Sequence, residues 1–184
     1  MLVLRAFGRA LRRRPLHLVV GVSSVGKSTY IRDVLRPAVG PVGGRVIFAN
    51  GLTERGGLSL RLPGIVHYNL LYYFDLFPNA PEVRLDREPV FQRLLREGER
   101  VVAHLLHAPD DEVRARMAAR RAIEPDFDGP KTAYPAERSL ERLSRVSQAD
   151  LLCEAEDLLR RSGAEVLSIS ADGRGFVRRE LSKT

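Results

Sequence analysis

The residues best placed to do chemistry run Gly21-Val22-Ser23-Ser24-Val25-Gly26-Lys27-Ser28-Thr29. They fit G-x-x-x-x-G-K-[ST] without a mismatch. Glycines at this spacing let the backbone curl until successive N–H groups point inward at phosphate oxygens. A lysine at the seventh place adds a point charge for the β and γ phosphates, and a serine at the eighth offers a hydroxyl to Mg²⁺. The candidate phosphate-binding set is therefore Gly21, Ser23, Ser24, Val25, Gly26, Lys27, Ser28 and Thr29, with Ser28 as the metal contact.

Such a loop works only between a buried strand and a helix N-terminus, and the sequence supplies both. Leu16 to Val20 is a nearly unbroken apolar run, the pattern of a strand buried on both faces, and a helix is predicted from Lys27 to Leu35 with Pro37 ending it. Further along, strands are predicted at 45–49, 65–70, 101–106 and 165–169. Helices are predicted at 89–96, at 110–121 with Asp110 or Asp111 as cap, and at 136–161, the last stopped by Gly163. Strand-length apolar runs alternating with helical periods point to an α/β fold with a parallel sheet of about five strands, with an irregular Pro/Gly/Asp-rich insertion from 125 to 135.

Two further groups stand near predicted strand ends. His67 and Asn69 alternate on the third strand and share one side, where they orient an acceptor if that side opens on a cleft and are satisfied core groups if it does not. Residues 68–77 hold five of the twelve aromatics, Tyr68, Tyr72, Tyr73, Phe74 and Phe77. They suit either core packing or an acceptor pocket, with Tyr72 and Tyr73 as the pocket candidates.

Length and composition narrow the classes. A chain of 184 residues, 44% apolar and 29% charged, is the size and make-up of one soluble globular domain. The lone Cys153 excludes an internal disulfide and any multi-cysteine zinc site, and suggests a reducing compartment such as the cytoplasm. Of the net charge of +7, five units come from Arg5, Arg9, Arg12, Arg13 and Arg14, which leaves +2 for residues 15–184. The basic character thus belongs to an N-terminal arm, 1–14, and is weak support for a nucleic-acid partner. The arginines of that arm also interrupt any apolar stretch long enough for a membrane span.

The loop GVSSVGKST resembles that of the P-loop small-molecule kinases, the group that includes gluconate, adenylylsulfate and shikimate kinases and chloramphenicol phosphotransferase. Residues 109–121, PDDEVRARMAARR, are similar to the adenylate-kinase segment that opens the lid, and Arg116 and Arg120 match its two ATP-facing arginines. Four apart, these two share a helix face, which suits a clamp on a polyphosphate. The resemblance spans about residues 16–170. It implies a three-layer P-loop fold over 15–184 with a lid at about 110–135, and a phosphotransferase using ATP and Mg²⁺ on a hydroxyl of a small metabolite, sugar, nucleoside or antibiotic.

Departures from that pattern affect the metal and the base. No apolar strand ends in the aspartate of a regular Walker B motif, so Mg²⁺ would be held by Ser28, phosphate and water. Glu54 and Asp75 lie beyond strand ends and are the candidate bases, with Asp33, in the middle of the first helix, ranked below them. The 170–173 stretch, Ser-Ala-Asp-Gly, stands where such kinases border the adenine ring. A nucleotide-dependent sulfotransferase and a non-catalytic nucleotide switch or scaffold are the alternatives. A GTPase lacks its N-K-x-D guanine motif here, and the D-x-x-G at 126–129 lies in the expected lid.

Overall fold

The structure, a computed structural model, describes residues 15–43, 46–48, 64–97, 100–119, 136–172 and 175–179. Strand β1 (Leu16–Gly21) leads through the glycine loop into helix α1 (Lys27–Tyr30). A π-helical turn (Ile31–Leu35) carries α1 into α2 (Arg36–Gly43). Strands β2 (Val46–Phe48) and β3 (Gly64–Asn69) follow, then a 3₁₀ turn (Leu70–Tyr72), α3 (Tyr73–Leu76) and α4 (Pro89–Glu97). The second half comprises β4 (Val101–His107), α5 (Asp110–Ala119), α6 (Ala136–Ser144), α7 (Gln148–Arg161), β5 (Glu165–Asp172) and β6 (Gly175–Arg179).

The sheet order is β2-β3-β1-β4-β5-β6, with every pairing parallel except β5 with β6. The fold is thus α/β with a mostly parallel six-stranded sheet. Leu18, Val19 and Val20 all have no exposed surface, and because successive strand residues point to opposite faces, both faces of the sheet centre are covered. Around β1 the connections diverge. The chain leaves β1 toward β2 on one side and leaves β4 toward β5 on the other, so the carboxyl ends of β1 and β4 frame the switch point at which open α/β sheets bind ligands.

Five sequence expectations are corrected. The sheet has six strands, because β6 pairs antiparallel with β5. Consequently Ser170, Ala171 and Asp172 belong to β5 itself, not to a loop after it. Pro37 does not end the first helical stretch. The widened π turn, whose last bond runs from the Arg36 N–H to the Ile31 carbonyl, places Pro37 in the first turn of α2, where a missing N–H is not needed. The long helix expected over 136–161 is two. Ser147, in extended conformation, caps α7 by accepting from the Asp150 N–H, and this breaks the continuation from α6. Asp110 is within α5 rather than capping it, and its carboxylate accepts from Gln148 Nε2 at 2.7 Å.

The arm at 1–14 and residues 120–135 of the expected lid lie outside the described residues. Among the described residues no helix is long and apolar enough to cross a membrane.

Candidate functional site

The glycine loop sits at the carboxyl end of β1, on the switch point. Gly21 ends the strand in a place only glycine fits: a Cβ there would lie 2.8 Å from both the Leu106 carbonyl oxygen of β4 and Val25 Cγ1. Ser24 (φ 59°) and Gly26 (φ 104°) take left-handed backbone conformations, which turn the chain sharply before α1. Lys27 is buried, and its Nζ donates to the Gly21 carbonyl at 2.9 Å and the Val22 carbonyl at 2.5 Å. Its charge therefore lies against the loop's own backbone carbonyls.

Strand β3 borders the same loop. In register, Asn69 lies opposite Gly21 and His67 opposite Val19. Asn69 Nδ2 donates to Ser23 Oγ at 2.9 Å, while its Oδ1 accepts from the Leu71 N–H and caps the following turn. His67 Nε2 lies 3.4 Å from Ser28 Oγ, and its ring packs against Phe48 of β2 with centroids 5.0 Å apart. The shared side of these two residues is thus the loop's side. Alternation alone could show that they share a side but not which one.

The third wall comes from α5 and the β5–β6 hairpin. Arg116, matched by sequence to a clamp position, donates from Nη2 to Glu112 at 2.5 Å and to the Ala171 carbonyl at 3.2 Å. A methyl built on Gly26 would sit 3.8 Å from the Ala171 side chain and 3.5 Å from the Phe176 ring. Arg116 is thereby brought to the flank of the loop. Phe176 also meets the Tyr30 ring edge-on at 5.1 Å, so β6 braces both the loop and the helix behind it. Sequence reasoning missed Phe176; the signal available was a single aromatic directly after Gly175.

Beneath the loop a polar chain crosses the sheet. Tyr30 Oη lies 2.9 Å from His104 Nδ1, and His104 Nε2 lies 3.0 Å from His17 Nδ1. Burial, with the His17 ring and Arg178 adding repulsion, pushes the His104 imidazole down to about 3, so it is neutral at physiological pH. Burial lowers His17 as well, against the opposing pull of Glu165. Desolvation raises the Tyr30 hydroxyl, with Arg178 acting the other way. These neutral groups tie α1 to β1 and β4 and hold the loop's exit in place. Neither histidine was singled out from the sequence, because an isolated polar residue in an apolar run gives no sign of a partner 87 positions away.

The remaining candidates are spread more widely. Asp75, on α3, forms an ion pair with Arg142 of α6, Nη2 to Oδ1 2.6 Å, with both side chains largely buried. Asp33 is exposed on the π turn, where its hydrogen bond with Arg32 holds its carboxyl below the usual range. Tyr73 is buried in the core against Phe74 and Phe77, and Tyr72 is half-buried and packs on the core. Tyr68 is wholly buried and donates to Glu88 Oε2 at 2.7 Å. Glu88 in turn accepts from the N–H groups of Val90 and Phe91 at the start of α4. Much of the aromatic cluster is therefore packing. Glu54 and Arg120 lie outside the described residues.

No group of three or more metal-ligating His, Cys, Asp or Glu side chains occurs among the described residues. Ser28 Oγ, 3.4 Å from His67 Nε2, is an oxygen donor that could contribute to holding a cation. No protein-family model matches the chain, and no match was found among curated proteins.

Proposed function

We propose that the chain is a small-molecule kinase of the P-loop type, transferring the γ-phosphoryl group of ATP to a hydroxyl of a small metabolite, sugar, nucleoside or antibiotic. The observation that carries this proposal is the G-x-x-x-x-G-K-S loop at the sheet's switch point, with a buried lysine held on its backbone carbonyls and an arginine on its flank. Phosphoryl transfer asks little covalent chemistry of a protein. It asks for positioning and for positive charge around the transferring group.

In this reading the backbone from Gly21 to Gly26 cradles the phosphates, with Ser23, Ser24, Val25 and Thr29 shaping that cradle. Lys27 exchanges its loop carbonyls for phosphate oxygens, and Ser28 is the side chain that would hold Mg²⁺. The metal, if bound, would supply charge neutralisation to the phosphates. Arg116, together with Arg120, stabilises the charge that spreads over the γ-phosphoryl oxygens. Asn69 holds Ser23 and so fixes the loop's rim, His67 faces Ser28 beside it, and the half-buried Tyr72 belongs to the acceptor side of the proposal.

Glu54 and Asp75 remain the carboxylates proposed to accept the hydroxyl proton. Glu54→Gln and Asp75→Asn separate them, since the base is the one whose loss lowers kcat while leaving ATP affinity intact. The function is tested by following ADP release with Mg²⁺-ATP against pooled hydroxylated metabolites, nucleosides and antibiotics. ADP release that rises at least tenfold with one pool supports a kinase, whereas tight ATP binding with equally slow turnover in every pool points to a nucleotide switch.

A further inference from the structure

In the nucleotide site just proposed, the hydroxyl assigned to hold the metal faces a ring nitrogen. His67 Nε2 faces Ser28 Oγ at 3.4 Å, which is long for a hydrogen bond involving a hydroxyl. Two donors at that separation can both ligate one cation. With metal–ligand bonds of about 2.1–2.2 Å the O–metal–N angle is about 100–110°, between octahedral and tetrahedral values. The imidazole is carried on a strand paired along its whole length with β1, and its ring rests on Phe48, so its approach to Ser28 is fixed by the fold.

The neighbouring polar group of β3 does not compete for this role. Asn69 is turned to Ser23 and to the Leu71 N–H. The two β3 side chains at the loop are therefore an imidazole and an amide, with no carboxylate in β3. Mg²⁺ prefers oxygen ligands and gives up water reluctantly, whereas first-row transition ions take imidazole readily, in the order Mn²⁺ below Co²⁺.

We infer that His67 is a direct ligand, with Ser28, of the divalent cation that accompanies the nucleotide, and that this site selects Mn²⁺ or Co²⁺ over Mg²⁺. The inference rests on the nucleotide-binding reading of the loop. It also couples the two ligands. With two protein donors among the described residues, the cation binds tightly only when phosphate oxygens complete its shell, so metal affinity depends on the nucleotide.

The test uses the intact chain, a non-hydrolysable β,γ-imido ATP analogue, and MgCl₂, MnCl₂ or CoCl₂. Calorimetry is expected to show the analogue at least tenfold tighter with Mn²⁺ or Co²⁺ than with Mg²⁺, and His67→Ala to bring that ratio within about twofold. Pulsed electron paramagnetic resonance of the bound Mn²⁺ in protein labelled with ¹⁵N-histidine is expected to show coupling to a directly ligated nitrogen. That measurement stands on the unaltered protein, so it decides the matter even if His67→Ala fails to fold. Equal affinities with all three ions, or Mn²⁺ without nitrogen coupling, overturn the inference while nucleotide binding survives. Failure of the analogue to bind with any ion overturns the nucleotide reading and the inference with it.

Discussion

Replacing Gly21 by alanine strikes the loop and the sheet together. The added Cβ would meet the Leu106 carbonyl oxygen and Val25 Cγ1, each at 2.8 Å. Neither neighbour retreats easily. Leu106 lies in β4, held in register against Ile169 of β5, and Val25 is fully buried with a branched side chain. Overpacking of this kind costs about 1–3 kcal/mol, which for a chain of this length lowers Tm by about 2–12 °C. The strain is relieved most readily by moving the loop, so Mg²⁺-ATP affinity should fall at least tenfold. Gly163→Ala is the matched control. Gly163 also has a positive φ, 85°, but nothing lies within 4 Å of its Cβ position. Its cost is backbone strain alone, about 1 kcal/mol, with no effect on ATP. Thermal melts by circular dichroism, with calorimetry of ATP binding on both variants, make the comparison. If Gly21→Ala melts and binds ATP like the unaltered protein, the close approach of loop and β4 is wrong.

Other expectations concern the chain beneath the loop, the buried ion pair and the flanking arginine. His104 is held near 3 in the folded protein against about 6.5 when unfolded, so between those values the unfolded chain binds more protons and stability falls as pH drops below about 6.5. At pH 5 this one group accounts for about 2 kcal/mol, and His104→Gln should shrink the difference in urea midpoint between pH 7.5 and pH 5. Arg142→Met leaves the Asp75 carboxylate buried without its cation and should cost about 3 kcal/mol in urea denaturation, partly recovered by adding Asp75→Asn. Arg116→Ala should lower kcat about 100-fold with a smaller change in the KM for ATP, measured by steady-state kinetics once an acceptor is known.

Much of the sheet could be read from the sequence because buried parallel strands are nearly unbroken apolar runs, as at Leu16 to Val20 and Val101 to Leu106. β6 escaped because Phe176-Val177-Arg178-Arg179 is short, carries two arginines and lies at the sheet edge, where Val177 is exposed. The break between α6 and α7 escaped because Arg145, Val146 and Ser147 keep the helical period, and only the cap at Ser147 reveals the stop. At the site, motif spacing named the loop, and alternation paired His67 with Asn69. What spacing could not supply was contact. That His67 meets Ser28, that Arg116 reaches the Ala171 carbonyl and that Phe176 lies under Gly26 all follow from strand order, which no local pattern encodes.

The most direct test of the nucleotide reading is calorimetric titration of Mg²⁺-ATP into the unaltered chain and into Lys27→Ala, with circular dichroism to verify that both are folded. Saturable binding at one site per chain that is lost in the folded Lys27→Ala variant is the predicted result. Equal binding by both proteins, or none by the unaltered chain with Mg²⁺ or Mn²⁺, would contradict it.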